Sequence, residues 1–523
     1  MIDYERDTIH VMRAGQNQYA PIASFERRRE IEQDHSHLSE SQRAAVEQIL
    51  SSRDQVTALE GVAGAGKTTS LAAIREAAER DGYKVEGFAP TSRAAQKLGE
   101  AGIESSTLQR HLTRGQEPYG QQRLYVLDES SLASTKQMND FLHRLKENDR
   151  VLLVGDTRQH EAVEAGRPYQ QLQEAGIATS RLDEIVRQKD PALRDVVQKL
   201  SRGQVKEAME KLDVQGRVHE IFDRDERMAS IAHEYVKQPE GTLVVSPDNR
   251  SRTEINQAIH YAMQDAGKMP YREYEMMVLV ARQEITGADR QWAAQYEGGD
   301  VVRYTRGSKT HGIAAGEYAR VERVDEKENL VTVKRKNGEQ VSYDPRRLHG
   351  VTLYRETERA FSEGDRVQFT APNRERHIAN RELGTIDKID DSGSLQLRLD
   401  SGRTIAFNIK DNRHLDYGYA VTSHSSQGQT ADRVLVHIDT EQAGEKLVNR
   451  RLAYVAVSRG RYDAQVYTND KGQLAEQLSR DVSHRSAMKP NREFVSSAHE
   501  IERSSTRSQG HEHTQAEGHS ISR

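Results

Sequence analysis

The feature that most constrains this chain is a glycine-rich segment between a predicted strand and a predicted helix. Residues 61–69 read Gly-Val-Ala-Gly-Ala-Gly-Lys-Thr-Thr and match the pattern G-x-x-x-x-G-K-[ST]. An apolar run at 56–60 precedes the segment, and an alanine-rich stretch with helical spacing of apolar residues follows it at 68–80. A strand, a glycine-rich loop and a helix N-terminus bring backbone N–H groups around a polyphosphate. The segment therefore predicts a phosphate-binding loop.

The residue types of this loop assign separate roles within it. Lys67 is expected to reach the β- and γ-phosphates of ATP, and the Thr68 hydroxyl is expected to ligate Mg²⁺. ATP and Mg²⁺ are therefore the expected ligands. The residues predicted to surround the nucleotide are Gly61, Val62, Ala63, Gly64, Ala65, Gly66, Lys67, Thr68 and Thr69.

Composition narrows the class of protein. The chain has 523 residues, which predicts two to four domains, and it has no cysteine, which excludes disulfides, thiolate metal sites and a cysteine nucleophile. It has no apolar run near the ~18 residues of a membrane span, and its first residues lack the pattern of a signal peptide. We therefore expect a cytoplasmic protein without membrane insertion. The net charge of −5 is unusual for a nucleic-acid binder, although a local groove can bind DNA without a basic total.

Strand and helix patterns alternate in two blocks, which predicts α/β folding with parallel sheets covered on both faces. In the first block we predict strands at 56–60, 84–89, 123–128 and 150–155, and helices at 41–51, 68–80, 91–100 and 134–146. In the second block we predict helices at 190–213, 250–265 and 447–457, and strands at 217–222, 242–246, 417–422, 433–438 and 463–468.

A long insertion with an internal repeat interrupts the second block. Gly299-Asp300-Val301-Val302-Arg303-Tyr304-Thr305 recurs as Gly364-Asp365-Arg366-Val367-Gln368-Phe369-Thr370. Alternating strands and tight turns follow each copy, a pattern typical of small β-barrels. We therefore predict two tandem barrels. The predicted organisation is a charged helical segment at 1–37, a first lobe at 38–180, a second lobe at 181–269 and 413–481, the barrels at 270–412, and a disordered tail at 482–523.

Polar residues at strand ends provide the remaining candidates for ATP chemistry. Asp128 and Glu129 follow an apolar strand, so we assign Asp128 to Mg²⁺ and Glu129 to general base for the attacking water. Gln159, in the turn after the strand at 150–155, is placed to sense the γ-phosphate. Arg187 and Arg459 in the second block are candidates for stabilising the charge on the transferred phosphoryl group, with Arg461 as an alternative to Arg459.

These segments, taken in order, resemble the motifs of superfamily 1 helicases, in particular the RecD-like branch and the helicase part of MobF-class conjugative relaxases of the TraI/TrwC type. The resemblance covers residues 38–470. It rests on Gln42, 61–69, 88–95, Asp128-Glu129, 155–159, Arg187, 424–428 and 456–459.

The resemblance implies two RecA-like P-loop NTPase lobes, with SH3-like barrels inserted in the second, and an ATP-dependent DNA helicase that moves 5′ to 3′ in plasmid conjugative DNA processing. Gln42 would contact adenine, Gln427 and Gly428 would couple ATP to DNA, and Arg187 and Arg459 would be arginine fingers. Single-stranded DNA would be bound by Thr91, Ser92, Arg93, Thr107, His424 and Ser425. The implied partners are a relaxase domain, the relaxosome and type IV secretion components.

The chain departs from this family in three places. The helicase motifs begin so early that we expect no relaxase nuclease domain in this chain, and we interpret His35 with His37, and the tail histidines 511, 513 and 519, as solvated residues rather than metal ligands. The loop at 113–123 is short for a strand-separating pin. Ser425 replaces a lysine that many members carry, which predicts a weaker DNA contact.

Two other functions are compatible with the same residues. The chain could be the motor subunit of an exonuclease complex, as RecD is, or a partner-binding module of the conjugation machinery with secondary ATPase activity. The complete set of ATPase residues favours a motor.

Overall fold

A computed structural model describes residues 2–114, 120–159, 166–282, 285, 289–348, 350–373, 375–441 and 447–482. The described residues divide into two compact units, the first ending at Arg187 and the second running from Gln188 to Asp481. Apart from residue 482, the predicted tail lies outside the described residues, and with it the candidate histidines 511, 513 and 519. Residues 115–119 of the short loop also lie outside the described residues.

The first unit is built around a parallel six-stranded sheet. Its elements are α1 (Ile2–Ala14), α2 (Phe25–Asp34), α3 (Glu40–Ser51), β1 (Val56–Gly61), α4 (Lys67–Arg80), β2 (Lys84–Ala89), α5 (Ser92–Leu98), β3 (Glu104–Thr107), α6 (Leu108–Thr113), β4 (Arg123–Leu127), α7 (Thr135–Leu142), β5 (Arg150–Gly155), α8 (Pro168–Glu174) and β6 (Thr179–Leu182). The strand order is β3-β2-β4-β5-β1-β6, and every pairing in the sheet is parallel.

The predicted parallel α/β sheet is confirmed for the strands that are apolar. β1, β4 and β5 are buried along their whole length, as expected for central strands covered on both faces. The edge strands β3 and β6 were not predicted, because Glu-Ser-Ser-Thr and Thr-Ser-Arg-Leu lack an apolar run. Helix α1 lies within the segment predicted as charged and helical, but its packing was not predicted: Ile9 and Met12 bury its apolar face in the core of this unit.

The second unit contains a parallel five-stranded sheet with the order β20-β8-β21-β22-β7. The elements outside the insertion are α9 (Pro191–Ser201), α10 (Val205–Val214), β7 (Val218–Glu220), α11 (Arg224–Lys237), β8 (Thr242–Ser246), α12 (Asn249–Asp265), β20 (Ala420–Thr422), α13 (Ser423–Ser426), β21 (Ala431–Ile438), α14 (Arg450–Val457), β22 (Gly460–Thr468) and α15 (Lys471–Leu478). The single helix predicted at 190–213 is wrong, because Gly203 adopts φ +77° and separates α9 from α10.

The insertion forms two antiparallel sheets. Its strands are β9 (Tyr274–Ala281), β10 (Val301–Tyr304), β11 (Tyr318–Asp325), β12 (Leu330–Arg335), β13 (Gln340–Tyr343), β14 (Val351–Phe361), β15 (Arg366–Phe369), β16 (Leu383–Ile389), β17 (Ser394–Leu399), β18 (Thr404–Asn408) and β19 (Leu415–Tyr417). The sheet orders are β13-β12-β11-β10-β14-β9 and β18-β17-β16-β15-β19. We call these two sheets the first copy and the second copy. The sequence did not predict the pair of β9 with β14, whose register runs from Ala281 opposite Tyr354 to Tyr274 opposite Phe361.

Candidate functional site

The phosphate loop joins β1 to α4 with a backbone that requires glycine at two positions. Gly64 has φ +84° and Gly66 has φ +76°, both in the left-handed region. A Cβ atom added at Gly64 would lie 2.5 Å from the Cβ of Arg187, and one added at Gly66 would lie 2.2 Å from the Nε2 of Gln42. Conformation and close packing both therefore exclude larger residues here.

Lys67 begins α4 and reaches back across the loop. Its Nζ donates a hydrogen bond of 2.6 Å to the carbonyl of Gly61. Thr68 and Thr69 follow in the first turn, one half-buried and one exposed. The predicted lysine and hydroxyl therefore lie side by side at the start of the helix, where N–H groups and the helix dipole favour an anion.

Gln42 is held against the phosphate loop. Its Oε1 accepts from the N–H of Ser39, while its Nε2 donates to the carbonyls of Ala65 and Gly66 at 3.1 and 3.4 Å. The two ends of the amide thus tie the start of α3 to the loop. Its predicted contact with adenine stays a prediction.

Arg187 is placed differently from the expectation. The sequence assigned it to the second lobe, whereas it is the last residue of the first unit. The N–H groups of Val186 and Arg187 donate to the carbonyl of Gly64 at 2.9 and 3.1 Å, and the N–H of Val62 donates to Leu182. These backbone bonds attach the segment after β6 to the phosphate loop.

The two carboxylates follow β4, which ends at the same edge of the sheet as β1. The N–H of Asp128 donates to Phe88 on the neighbouring strand at 2.8 Å. Loss of hydration and the negative charge of Glu129 raise the pKa of Asp128 to about 6, against the opposite effect of the Lys67 ammonium. A poorly hydrated carboxylate beside a second carboxylate favours binding of a cation, because an added positive charge stabilises its ionised form.

Glu129 adopts a strained backbone. Its φ of 49° and ψ of 41° are left-handed, and its N–H donates to the Oδ1 of Asp128 at 2.8 Å. For a residue other than glycine this conformation costs roughly 1–2 kcal/mol, and strain of this kind concentrates at functional sites. The position predicted for the general base is therefore also the strained position at this edge of the sheet.

Two buried carboxylates to which the sequence assigned no role hold the turn after β5; one of them, Asp156, belongs to the segment 155–159 that carries the resemblance. Glu60, at the end of β1, accepts from the N–H and the hydroxyl of Thr157, both at 2.9 Å. Asp156 accepts from the Nε2 of Gln159 at 3.0 Å and from the N–H of Arg158 at 3.1 Å. The available signal was a glutamate inside an otherwise apolar strand, directly before the phosphate loop.

The predicted DNA-contacting residues of the first unit lie at the same carboxyl edge. Thr91 and Thr107 are the N-caps of α5 and α6, accepting from the N–H groups of Ala94 and Arg110. Ser92 is exposed and Arg93 is half-buried in the first turn of α5. Because β2 and β3 are adjacent parallel strands, both helix starts face one edge of the sheet.

In the second unit the predicted polar segment forms the short helix α13 and the turn after it. The hydroxyl of Ser425 contacts that of Thr422 at 2.9 Å and accepts from the Nη1 of Arg381, a residue of the insertion, at 2.8 Å. The guanidinium of Arg381 therefore lies beside Ser425, the residue at which the sequence predicted a weaker DNA contact. His424 is exposed, Gln427 is half-buried and Gly428 has φ +73°.

Arg459 is buried within the second unit. With 2% of its surface exposed, it donates through Nε to Val455 and through Nη2 to the Ser458 hydroxyl, at 2.8 and 3.2 Å. Arg461 is less buried and forms an ion pair of 3.3 Å with Asp432. The geometry leaves both arginines as candidates for the phosphoryl-stabilising role.

His35 contacts Glu76 at 2.9 Å, and the part of the chain that the structure describes contains no group of three His, Asp or Glu residues able to hold a metal ion. Within those same residues, no helix combines the length and apolarity that crossing a membrane requires.

Comparison with protein families gives two matches. The model of the AAA domain matches residues 37–223, and the model of the UvrD-like helicase C-terminal domain matches residues 417–466. The first match contains the phosphate loop, and the second contains α13 and Arg459.

Curated relatives extend the similarity over most of the chain. The multifunctional conjugation protein TraI of Escherichia coli K12 is 26% identical over an alignment of 525 positions, gaps included, which covers 88% of this chain and 29% of TraI. The conjugal transfer protein TraA of Agrobacterium fabrum is 29% identical over 458 residues, 85% of this chain and 34% of TraA. The ATP-dependent RecD2 DNA helicase of Deinococcus radiodurans is 35% identical over 167 residues, 30% of this chain and 23% of that protein. The chain thus spans about a third of the length of its conjugation relatives.

Solved structures of Pif1 helicases also resemble the chain. One is a structure of two coordinating Pif1 helicases that concerns DNA unwinding at forked double-stranded DNA. It has a TM-score of 0.48 and 16% identity, and the match covers 90% of this chain and 97% of that chain. Pif1 from Candida albicans has a TM-score of 0.47 and 16% identity over 89% of this chain and 99% of its own.

Proposed function

We propose that this chain, a homologue of the TraI and TraA conjugation proteins and of RecD2 helicase, is an ATP-dependent DNA translocase and helicase that acts in plasmid conjugative DNA processing. The observation that carries the proposal is the arrangement at the carboxyl edge of the first sheet. There the phosphate loop lies near Asp128, close enough for the Lys67 charge to oppose the rise in the pKa of that carboxyl group.

The proposed chemistry assigns a step to each of these residues. Lys67 exchanges its bond to the Gly61 carbonyl for the β- and γ-phosphate oxygens, and the N–H groups of the loop bind the remaining oxygens. Glu129 orients and deprotonates the attacking water, and Gln159 contacts the γ-phosphate. Arg187 and Arg459, or Arg461 in place of the latter, stabilise the charge that spreads over the transferred group.

Thr68 and Asp128 are the residues that would hold Mg²⁺. One hydroxyl and one carboxylate suit this ion, because it retains several waters and is usually bound by one or two protein oxygens together with substrate phosphates. Bound Mg²⁺ would neutralise charge on the β- and γ-phosphates.

The proposal also includes the DNA path and the domain organisation. Single-stranded DNA would contact Thr91, Ser92, Arg93 and Thr107 of the first unit, and His424 and Ser425 of the second. We propose that the units are RecA-like lobes, that the two inserted sheets are SH3-like barrels within 270–412, and that movement is 5′ to 3′. A relaxase domain, the relaxosome and type IV secretion components are the proposed partners.

A steady-state ATPase assay with and without single-stranded DNA tests this function. We expect DNA to stimulate wild type, and Lys67→Ala to lower the rate by about 10²-fold or more, because it removes a charged transition-state contact. Lys388→Ala, an exposed lysine of the second copy, serves as the control and should match wild type. A wild-type rate that ignores DNA would contradict the motor and favour the partner-binding module.

A second variant separates binding from chemistry. Glu129→Gln should bind ATP with near-normal affinity but hydrolyse it poorly, since the amide cannot accept a proton. A fluorescent-nucleotide titration beside the ATPase assay measures both quantities. Loss of nucleotide binding in this variant would assign Glu129 to the structure of the turn instead.

A further inference from the structure

The two copies of the insertion contain equivalent loops between their first two repeat strands. We call residues 304–317 the first loop and residues 369–382 the second loop. In the first loop, the N–H of Gly316 donates to the Tyr304 carbonyl at 2.7 Å. In the second loop, the N–H of Arg381 donates to the Phe369 carbonyl at 2.9 Å. Both loops also contain the same isolated bridge, which pairs Ser308 with Ile313 and Asn373 with Ile378.

The two loops differ at their left-handed positions. In the first loop these are Gly312, with φ +65°, and Gly316, with φ +84°. In the second loop they are His377, with φ +53°, and Arg381, with φ +63°. Glycine adopts this conformation readily, whereas other residues adopt it at a cost in free energy. The second loop therefore maintains two strained basic residues at positions where the same backbone accepts glycine.

The strained Arg381 reaches out of the insertion to α13. Its Nη1 donates to the Ser425 hydroxyl, which also contacts the N-cap hydroxyl of Thr422. The exposed His424 lies between Thr422 and Ser425 in the sequence. The left-handed backbone at Arg381 thus places its guanidinium beside the segment predicted to contact DNA.

The charge of Arg381 is not compensated by a carboxylate. Among the described residues, none of the ion pairs includes it. Loss of hydration and the positive charge of Arg252 lower its pKa. Arg252 itself contacts Asp416, which Arg359 also contacts. Local positive charge therefore exceeds negative charge, and an anion would complement the site.

We propose that Arg381 is a DNA-contacting residue that binds a backbone phosphate of single-stranded DNA together with His424 and Ser425. The positive charge that binds phosphate beside α13 would thus come from the second copy of the insertion. The inference rests on the proposed function, because it names a residue of the DNA path. Arginine suits the role, since its planar fork can donate to a phosphate while one nitrogen remains on Ser425.

Binding of a fluorescein-labelled oligothymidylate, measured by anisotropy over a series of salt concentrations, tests the proposal. Arg381→Gly keeps the left-handed backbone that Gly316 shows to be compatible with the loop. We expect this variant to bind about 5- to 10-fold more weakly near 0.1 M salt, and its slope of log Kobs against log salt to be shallower by about 0.7, the value for one lost phosphate contact on a single strand. Lys388→Ala removes one charge from the same sheet and should match wild type.

The other outcomes are also decisive. A slope for Arg381→Gly equal to that of wild type would overturn the proposal, whether or not affinity falls, because Arg381 would then only support Ser425. Ser425→Ala provides a second check, since it removes the support but keeps the guanidinium, and the proposal expects it to keep the wild-type slope. Absence of binding by wild type itself would overturn the proposed function and this inference together, whereas normal wild-type binding with an unchanged slope in Arg381→Gly overturns this inference alone.

Discussion

The two copies of the inserted repeat have the same backbone pattern but different surroundings. In each, the carbonyl of the repeat aspartate accepts from the strand opposite, at Val321 in the first copy and at Ile386 in the second. Each copy also has a register shift in the strand pair that follows. The first copy encloses a hydrophobic core of its own, whereas Met276, Val278 and Phe361 at one end of its β9–β14 pair belong to the core of the second copy. The core of the second copy is continuous with that of α11, α12 and the parallel sheet. The first copy therefore has a largely separate core, whereas the second copy is part of the core of the surrounding lobe.

Asp300 and Asp365, the equivalent aspartates of the two repeats, have different partners. Asp300 accepts from the Nη1 of Arg282 at 2.7 Å, so its partner lies within the insertion. Asp365 contacts His260 of α12 at 2.8 Å and accepts from the hydroxyl of Tyr419 at 2.6 Å. The same residue thus stabilises the fold of the first copy, whereas in the second it also joins the insertion to the lobe.

Deleting each copy is the strongest test of this difference. Ala281 lies opposite Tyr354 in the antiparallel pair of β9 and β14, so an Asn-Gly turn can replace residues 282–353 and close a hairpin. We expect this variant to remain folded. Replacing residues 362–418 should instead unfold the second unit, because it exposes core side chains worth about 1.5–3 kcal/mol each against a typical total stability of about 5–15 kcal/mol.

Far-UV circular dichroism during thermal unfolding measures the effect of both deletions. The expected result is a cooperative transition close to that of wild type for the first deletion. For the second deletion we expect a transition of reduced amplitude that comes from the first unit alone. A folded protein without residues 362–418 would show that the shared core is dispensable, and the comparison between the copies would fail.

Single substitutions at the two aspartates should give smaller but ordered effects. Asp365→Ala leaves the buried Tyr419 hydroxyl and the Ser362 N–H without their carboxylate acceptor, and it leaves the buried His260 with Glu273 as its one remaining carboxylate partner. We expect it to lower the free energy of unfolding by about 3–5 kcal/mol. Asp300→Ala should lower it by about 1–2 kcal/mol, because Arg282 keeps a second partner in Glu297 at 2.8 Å.

Urea denaturation with two probes assigns each loss to its copy. Trp292, the chain's one tryptophan, is 53% exposed and directly precedes Ala293, which lies in the core of the first copy. Its fluorescence therefore reports that copy, while circular dichroism reports the whole chain. Equal losses for the two substitutions would contradict a special role for Asp365.

The sequence predicted those parts of the molecule that have local signals. The phosphate loop, the apolar strands β1, β4 and β5, and the alternating strands of the repeat all carry their pattern within a few residues. The edge strands β3 and β6 lack such a pattern because they are only partly buried, so their side chains do not all have to be apolar. The long pair of β9 with β14 was missed because residues 282–350 separate its two strands in the sequence, and pairing across that distance leaves no pattern in either strand alone.

The candidate sites divide in the same way. Lys67, Thr68 and Asp128 follow strands of one parallel sheet, so their edge could be predicted from strand direction. Arg381 could not be found from the sequence, because its role depends on a left-handed backbone and on Ser425, which is distant along the chain. The repeat does hold a usable signal, since aligning the copies places Arg381 opposite Gly316.

The pH dependence of stability should also differ between the copies. Burial disfavours the charged imidazole of His260, but hydrogen bonds and charges of Asp365 and Glu273 outweigh it and raise its pKa above the ordinary 6.5. A raised histidine pKa stabilises the folded state fully below pH 6.5, and this contribution is lost as pH rises through the folded pKa. The slope in that window is at most about 1.4 kcal/mol per pH unit.

Urea denaturation at several pH values from 6 upwards measures this effect, with His260→Gln as the control. The free energy of unfolding that circular dichroism reports for wild type should fall as pH rises, and His260→Gln should lack this decrease. The transition reported by Trp292 should not change, because Arg282 does not titrate in this range. A variant with the wild-type pH dependence would exclude His260 as its source.

The smallest expected effect comes from exchanging a residue between the two loops. Gly316→Arg gives the first loop the arginine of the second, at a position where an added Cβ meets no atom within 4 Å, so only the backbone conformation opposes it. The left-handed strain of about 1–2 kcal/mol is partly offset by the lower entropy of the unfolded chain, about 0.4–1 kcal/mol, which leaves a loss of roughly 0.5–1 kcal/mol. Urea denaturation followed by Trp292 fluorescence resolves a loss of this size. If Gly316→Arg proves neutral, the left-handed position carries no strain, and Arg381 would no longer need a function to explain it.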